Sequence, residues 1–150
     1  PDIATMLVDE AFAYLDRDLH AGVIIGLSEL ISNAIEHGNL NISSSEKRAA
    51  LSEAPNRTFN VYCSHLLDAK FSRRKVHIEA DMNDDYCEWT IRDEGNGFDW
   101  QRVFKNIASH DSNSLEERGL YLCSMRFDEL TYEGKGNVVR ARKNAYPANH

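Results

Sequence analysis

The chain predicts an α/β (α+β) two-layer sandwich with helices on one face of the sheet. Three observations point there. Segments 3–16 and 20–37 repeat apolar residues at helical spacing. Segments 76–91 and 129–142 alternate apolar and polar residues around short polar turns, as hairpin strands do. A further helical stretch lies between the hairpins, giving the order helices, hairpin, helix, hairpin.

In the first segment Ile3, Met6, Leu7, Ala11 and Leu15 share one helical face. The second is apolar almost all round, through Val23, Ile24, Leu27, Leu30, Ile31, Ala34 and Ile35. On a wheel of about 100° per residue, Gly22, Gly26, Glu29, Ser32, Asn33 and Glu36 fall along one polar stripe. A helix polar along a single line reads as the wall of a site. Gly38-Asn39 closes it as a C-cap. Residues 40–74 are rich in Ser, Glu and Arg. One amphipathic run there, Phe59, Tyr62, Cys63, Leu66 and Leu67, predicts an extra helix with flexible flanks.

In the first hairpin Val76, Ile78 and Ala80 alternate before the turn Met82–Asp85, and Cys87, Trp89 and Ile91 alternate after it. Counting on by two, Asp93 shares the face of Cys87, Trp89 and Ile91. A carboxylate is thus aimed at the core where the strand runs out. The polar stretch from Ala108 to Glu117 reads as a mobile loop. A short helix from Gly119-Leu120 carries Leu122, Cys123, Met125 and Phe127. The last hairpin, Glu129–Tyr132 and Asn137–Arg142, turns at Glu133-Gly134-Lys135-Gly136.

Composition bounds the function. The 150 residues favour one compact domain, and 17 Lys and Arg against 24 Asp and Glu leave a formal charge of −7. That balance disfavours nucleic acid or anionic lipid as the main partner. No apolar run approaches the roughly 20 residues of a membrane span, and no secretory signal is visible. Cys63, Cys87 and Cys123 form no CxxC and read as buried free thiols of a reducing cytoplasm. The histidines form no HExxH or HxxxH pair, which disfavours a histidine-built metal site. The opening Pro1 reads as the start of a processed product or of a fragment of a longer protein.

Several residues carry chemistry. Glu29 and Asn33 stand at i and i+4 with His37 at i+8, on one helix face. A carboxylate and a carboxamide there hold a water or hydroxyl and a hard cation such as Mg²⁺, or are simply satisfied by neighbouring backbone groups. Asp93, with Gly95 and Gly97, either accepts from a ligand amine or belongs to an ordinary turn. Arg118-Gly119-Leu120 opens the last helix, where free N–H groups and a guanidinium suit a phosphate; a helix cap with an exposed arginine is the alternative. Gly134-Lys135-Gly136 lacks the strand-loop-helix context of a phosphate loop and reads as a hairpin turn.

Taken in order, Glu29-Leu-Ile-Ser-Asn33-Ala-Ile-Glu-His37-Gly38-Asn39, Asp93-Glu-Gly95-Asn-Gly97-Phe98 and Glu117-Arg118-Gly119-Leu120-Tyr121-Leu122 resemble the ATP-binding domain shared by gyrase, the chaperone Hsp90, histidine kinases and MutL (GHKL). The likeness covers residues 3–142 and is nearest to the anti-sigma factor serine kinases. It implies a Bergerat-type fold with a mixed, mostly antiparallel sheet. Glu29 would be the general base, and Asn33 the Mg²⁺ ligand. His37 falls within the same nucleotide-binding box, and Asp93 would bond the adenine amine, with Gly95 and Gly97 shaping that pocket. Arg118, Gly119 and Leu120 would close over the phosphates, and 99–117 would be the ATP lid.

The resemblance further implies ATP and Mg²⁺ as cofactors, and phosphorylation of a STAS-type anti-anti-sigma protein. A sigma factor would be a second partner, with homodimerisation through the first helices, in a bacterial cytoplasm. Three departures stand out: Glu117 replaces the first glycine of GRGL, Asn137 stands where threonine is frequent, and 40–74 is a long insertion. Such an insertion, followed by Arg92-Asp-Glu-Gly-Asn-Gly-Phe-Asp99, resembles the variant domains that follow a receiver or PP2C-type phosphatase domain in one chain. The alternative is a regulatory nucleotide-binding module that sequesters a partner without phosphoryl transfer. A histidine kinase catalytic domain is disfavoured, because residues 1–20 hold no recognisable histidine-bearing helix pair.

Overall fold

A computed structural model describes residues 2–53, 55–109 and 115–145. Asp2 opens the first helix, α1 (Ile3–Glu10), by accepting from the Thr5 N–H at 2.8 Å. One 3₁₀ turn, Ala11–Ala13, ends this unit before the 3–16 periodicity does. Asp16 then caps α2 (Arg17–Asn33). Val8 of α1 and Val23, Leu27 and Leu30 of α2 are fully buried together.

α2 is not apolar-buried all round: Ile25 is 57% exposed. Its polar stripe also divides. Gly22 and Gly26 lie against Arg126 and Phe127, so this half is a packing seam, while Asn33 alone of the other half faces a cavity. Two helices follow in the 40–74 segment, α3 (Ser44–Glu53) and α4 (Pro55–Leu67), where the periodicity marks only one. They pack on each other.

The sheet orders its strands β1-β2-β4-β3, with every pairing antiparallel: β1 (His77–Met82), β2 (Tyr86–Arg92), β3 (Glu129–Glu133) and β4 (Val138–Asn144). Cys87, Trp89 and Ile91 alternate into the core from β2, as expected, and Val139 and Ala141 stand opposite Ile91 and Trp89 on β4. Trp89 meets Phe127 edge to face at 6.3 Å. On the other side of the sheet Glu88 bonds Arg142 at 2.8 Å and lies 3.6 Å from Arg140, so one face packs on helices while the other is polar. Burial raises the Cys87 thiol to about 11; Cys63 is half-buried rather than buried.

Between the hairpins lie α5 (Trp100–Ala108) and α6 (Leu115–Ser124). Asp99 caps α5 through the Arg102 N–H, and Val103, Phe104 and Ile107 pack on the core. Much of the 99–117 segment is therefore regular helix. His110–Ser114 of the expected loop lie outside the described residues. Among the described residues, no helix is long and apolar enough to cross a membrane.

Candidate functional site

The end of α2 sets the site. From Ala34 to Asn39 the helix widens into a π-turn, with Leu40 N–H on the Ile35 carbonyl at 2.8 Å. The left-handed residue that ends it is Asn41 (φ 54°), not Gly38, so the expected Gly38-Asn39 cap is corrected. Gly38 serves another purpose: a Cβ there would collide with the Asp93 carboxyl. Gly95 packs against the Gly38 backbone with the same lack of room. Helix end and strand end thus meet backbone to backbone.

Hydrogen bonds lock that meeting. Buried Asn39 accepts from Glu94 N–H at 2.8 Å, and Arg74 Nη1 donates to the Asn39 carbonyl at 3.0 Å and the Gly38 carbonyl at 3.4 Å. Just before β4, Asn137 accepts the Asp93 N–H through its carbonyl at 3.0 Å and donates Nδ2 to the Asp93 carbonyl at 2.9 Å. Gly97 (φ 73°) allows the chain to pass the Lys135 carbonyl, which accepts from Phe98 N–H at 2.9 Å. The Asp93 carboxylate accepts from Gly95 N–H at 2.7 Å. Burial raises its pKa; Gly95 N–H, Lys135 and Arg74 oppose that shift.

Above this frame opens a cavity of about 320 Å³. Leu30, Ile91, Val103, Tyr132 and Val139 supply apolar walls, and Asn33, Asp93 and Asn137 supply polar points. Phe98 stands edge to face on Tyr132 at 5.0 Å and closes one side. Such a slot, with a buried carboxylate as acceptor at its base, suits a flat heterocycle bearing an amine.

Of the residues singled out from sequence, Asn33, His37, Asp93, Gly97 and Leu120 line the cavity. His37 Nδ1–H donates to the Ile42 carbonyl at 2.6 Å, so that nitrogen is committed to the fold. Glu29, Gly95, Arg118 and Gly119 are absent from the lining. Glu29 is exposed one turn before Asn33 and accepts from Asn33 Nδ2 at 3.5 Å. Gly119 faces it: a Cβ there would come within 2.9 Å of Glu29 Oε1.

The reading of Arg118-Gly119-Leu120 as a helix start is corrected. α6 begins at Leu115, so Gly119 is its fifth residue, beyond the first turn whose N–H groups lack helical partners. Leu120 is buried and Arg118 exposed. Glu117 accepts from Asn106 Nδ2 at 2.9 Å, tying α6 to α5. Sequence reasoning missed Arg74 and the Asn41–Ser44 segment, which lines the cavity, and it read Asn39 as part of a cap and motif rather than as the acceptor of the Glu94 N–H. The contacts that bring Arg74 to the site are 35 and 36 residues away in the chain, and no local pattern marks them.

The donor set bears on a cation. Among the described residues, no group of three or more His, Cys, Asp or Glu is placed to hold a metal ion. With its Nδ2 given to Glu29, Asn33 keeps its oxygen as a hard donor. A hard cation such as Mg²⁺ would find one protein oxygen here and would need oxygens of a ligand or water beside it.

The family model of the histidine kinase-like ATPase domain matches residues 4–143, and the chain belongs to that family. The curated proteins and the solved structures compared with it yielded no match.

Proposed function

We propose that the chain is a Mg-ATP-binding protein kinase domain of the anti-sigma factor type, transferring phosphate to a serine or threonine of a STAS-type anti-anti-sigma partner. The observation that carries this reading is that Asn33 and Asp93 open on one cavity, with Glu29 hydrogen-bonded to Asn33 at its edge. Asp93 would accept from the adenine amine between apolar walls. Asn33, with phosphate oxygens, would hold Mg²⁺, which supplies charge neutralisation at the phosphates when bound. Glu29, exposed and one turn away, would take the proton of an incoming hydroxyl. Arg118, close in sequence to Gly119 at the Glu29 edge, would meet the phosphates once α6 loosens. Sigma factor binding, a bacterial cytoplasm, a homodimer, and a receiver or PP2C-type domain in the same chain complete the proposal.

Incubation with labelled ATP, Mg²⁺ and candidate STAS-type proteins tests it. Transfer to a serine or threonine that Glu29→Ala abolishes, while ATP binding persists, is the expected result. Absence of transfer to any candidate, with ATP binding intact, favours the second reading: a nucleotide-binding regulatory module without phosphoryl transfer. Two observations support that alternative: α6 runs unbroken through Gly119, and the Glu117 carboxylate stands where the resembling kinases usually have glycine.

A further inference from the structure

The amphipathic run of the 40–74 segment divides: Tyr62 packs inward and Cys63 is half-buried, while Phe59, Leu66 and Leu67 are exposed. α4 faces the body through Tyr62 and His65. The Tyr62 hydroxyl bonds the Glu36 carboxylate, and the His65 ring donates to the Leu40 carbonyl at 2.7 Å. Lys47 of α3 adds a second bond to Glu36 at 2.5 Å. Phe59, Cys63, Leu66 and Leu67 centre roughly 120° away around the helix. Phe59 is 70% exposed, Leu66 50% and Leu67 85%. At the end of this stripe, residues 68–75 carry Lys70, Arg73, Arg74 and Lys75 against Asp68 alone, within a chain of net charge −7. Lys70, Arg73 and Lys75 are exposed; Lys70 and Lys75 bond Asp68 and Glu94 through the backbone N–H, and none of the three side-chain cations forms an ion pair among the described residues.

We propose that the outer face of α4, with the basic turn after it, docks an acidic amphipathic segment of a protein partner. The apolar stripe would receive leucine-like side chains at helical spacing, and the cations would select carboxylates beside them. A protein segment is favoured over a lipid surface by the placing of charge. Four cations sit beyond one end of the stripe and Arg57 is the one Lys or Arg in the sequence of α4 itself, whereas membrane-surface helices carry cations along the polar face. The remaining surface is acidic and would be repelled by anionic lipid. The inference stands apart from phosphoryl transfer, because none of these residues belongs to the cavity.

The test uses the full chain and a fluorescent helical peptide of alternating leucine and glutamate faces. Controls are a scrambled peptide of equal composition and a version with lysine for glutamate. Saturable binding of the acidic peptide alone is expected, weakened about tenfold or more by Leu66→Ser and separately by Arg73→Glu. Both positions are exposed, and unchanged far-ultraviolet circular dichroism and ATP affinity would show the fold intact. The proposal fails if the peptide does not bind, if both variants bind it as the parent does, or if the lysine version binds equally. It also fails if phosphatidylserine vesicles bind the chain through Leu66 and the peptide does not. Sedimentation showing a dimer that Leu66→Ser dissolves would assign the face to a second copy and overturn it as well.

Discussion

Asp93 ties the proposed ligand chemistry to pH. Burial raises its pKa above the 3.8 of an ordinary aspartate, and only the ionised form accepts an amine hydrogen bond with both oxygens free of protons. ATP affinity, followed by calorimetry, is expected to fall on acidification at a higher pH than a surface carboxylate would give, by about tenfold per pH unit below that pKa. Asp93→Asn should weaken binding at neutral pH by roughly tenfold or more and flatten the profile. The sign for stability is opposite. A carboxyl with a raised folded pKa holds its proton more tightly when folded, so its stabilising contribution is complete below 3.8 and is lost as pH rises through the raised value. Urea midpoints of Asp93→Asn against the parent, measured across that window, would report it. That Asp93 points inward was legible in the sequence, because strand alternation carries from Cys87, Trp89 and Ile91 to position 93. That Asn137 holds it on both backbone sides was not, since the register of β2 on β4 lies in no local pattern.

At the scale of elements, two attachments decide how the site moves. The first is the Asn106–Glu117 bond between α5 and α6. Asn106→Ala should cost about 1 kcal/mol and speed hydrogen exchange in α5 and the start of α6, with β2 and β4 unchanged. Equal exchange throughout would show that this bond does not hold the two helices. The second is Arg74, which joins the end of the 40–74 segment to the Gly38 and Asn39 carbonyls beneath Asp93 and stacks on Phe71 at 5.0 Å. Arg74→Ala should lower ATP affinity several-fold, and Arg74→Lys should restore part of it, because a single ammonium replaces one donor of the guanidinium fork. If affinity is unchanged in Arg74→Ala, the segment is a passenger on the site. The long, strongly patterned elements were legible: α2, β2 and β4 follow directly from apolar spacing. Of the shorter helices α1 was legible, α3 and α5 were not, and α6 was legible only in its second half. α3 has a polar sequence with no clear apolar face, and α6 places Gly119 in its interior, where a glycine reads from sequence as a boundary.

For the molecule as a whole, a formal charge of −7 sets a condition on any polyanionic ligand. Long-range repulsion opposes a nucleotide carrying several negative charges, so attraction must be supplied within the site. The described candidates are few: Arg118 is exposed on α6, Lys135 acts on Asp93 from the hairpin turn, and the oxygen of Asn33 needs a cation to become attractive to phosphate. On the proposed reading neutralisation would fall chiefly to Mg²⁺, and the thermal stability of the chain should record it. Nucleotide at a hundredfold excess over its dissociation constant stabilises a folded domain by about 2.7 kcal/mol. For a domain of this size each kcal/mol is worth about 2–4 °C, so ATP with Mg²⁺ should raise Tm by roughly 5–10 °C. Chelating the metal at the same nucleotide concentration, with a tenfold loss of affinity, removes about 1.4 kcal/mol and should halve the shift. Asn33→Ala should give the halved shift with metal present and be insensitive to the chelator. A full shift in the chelator would place the neutralising charge on the protein itself, and Arg118→Ala would then be the variant that loses it.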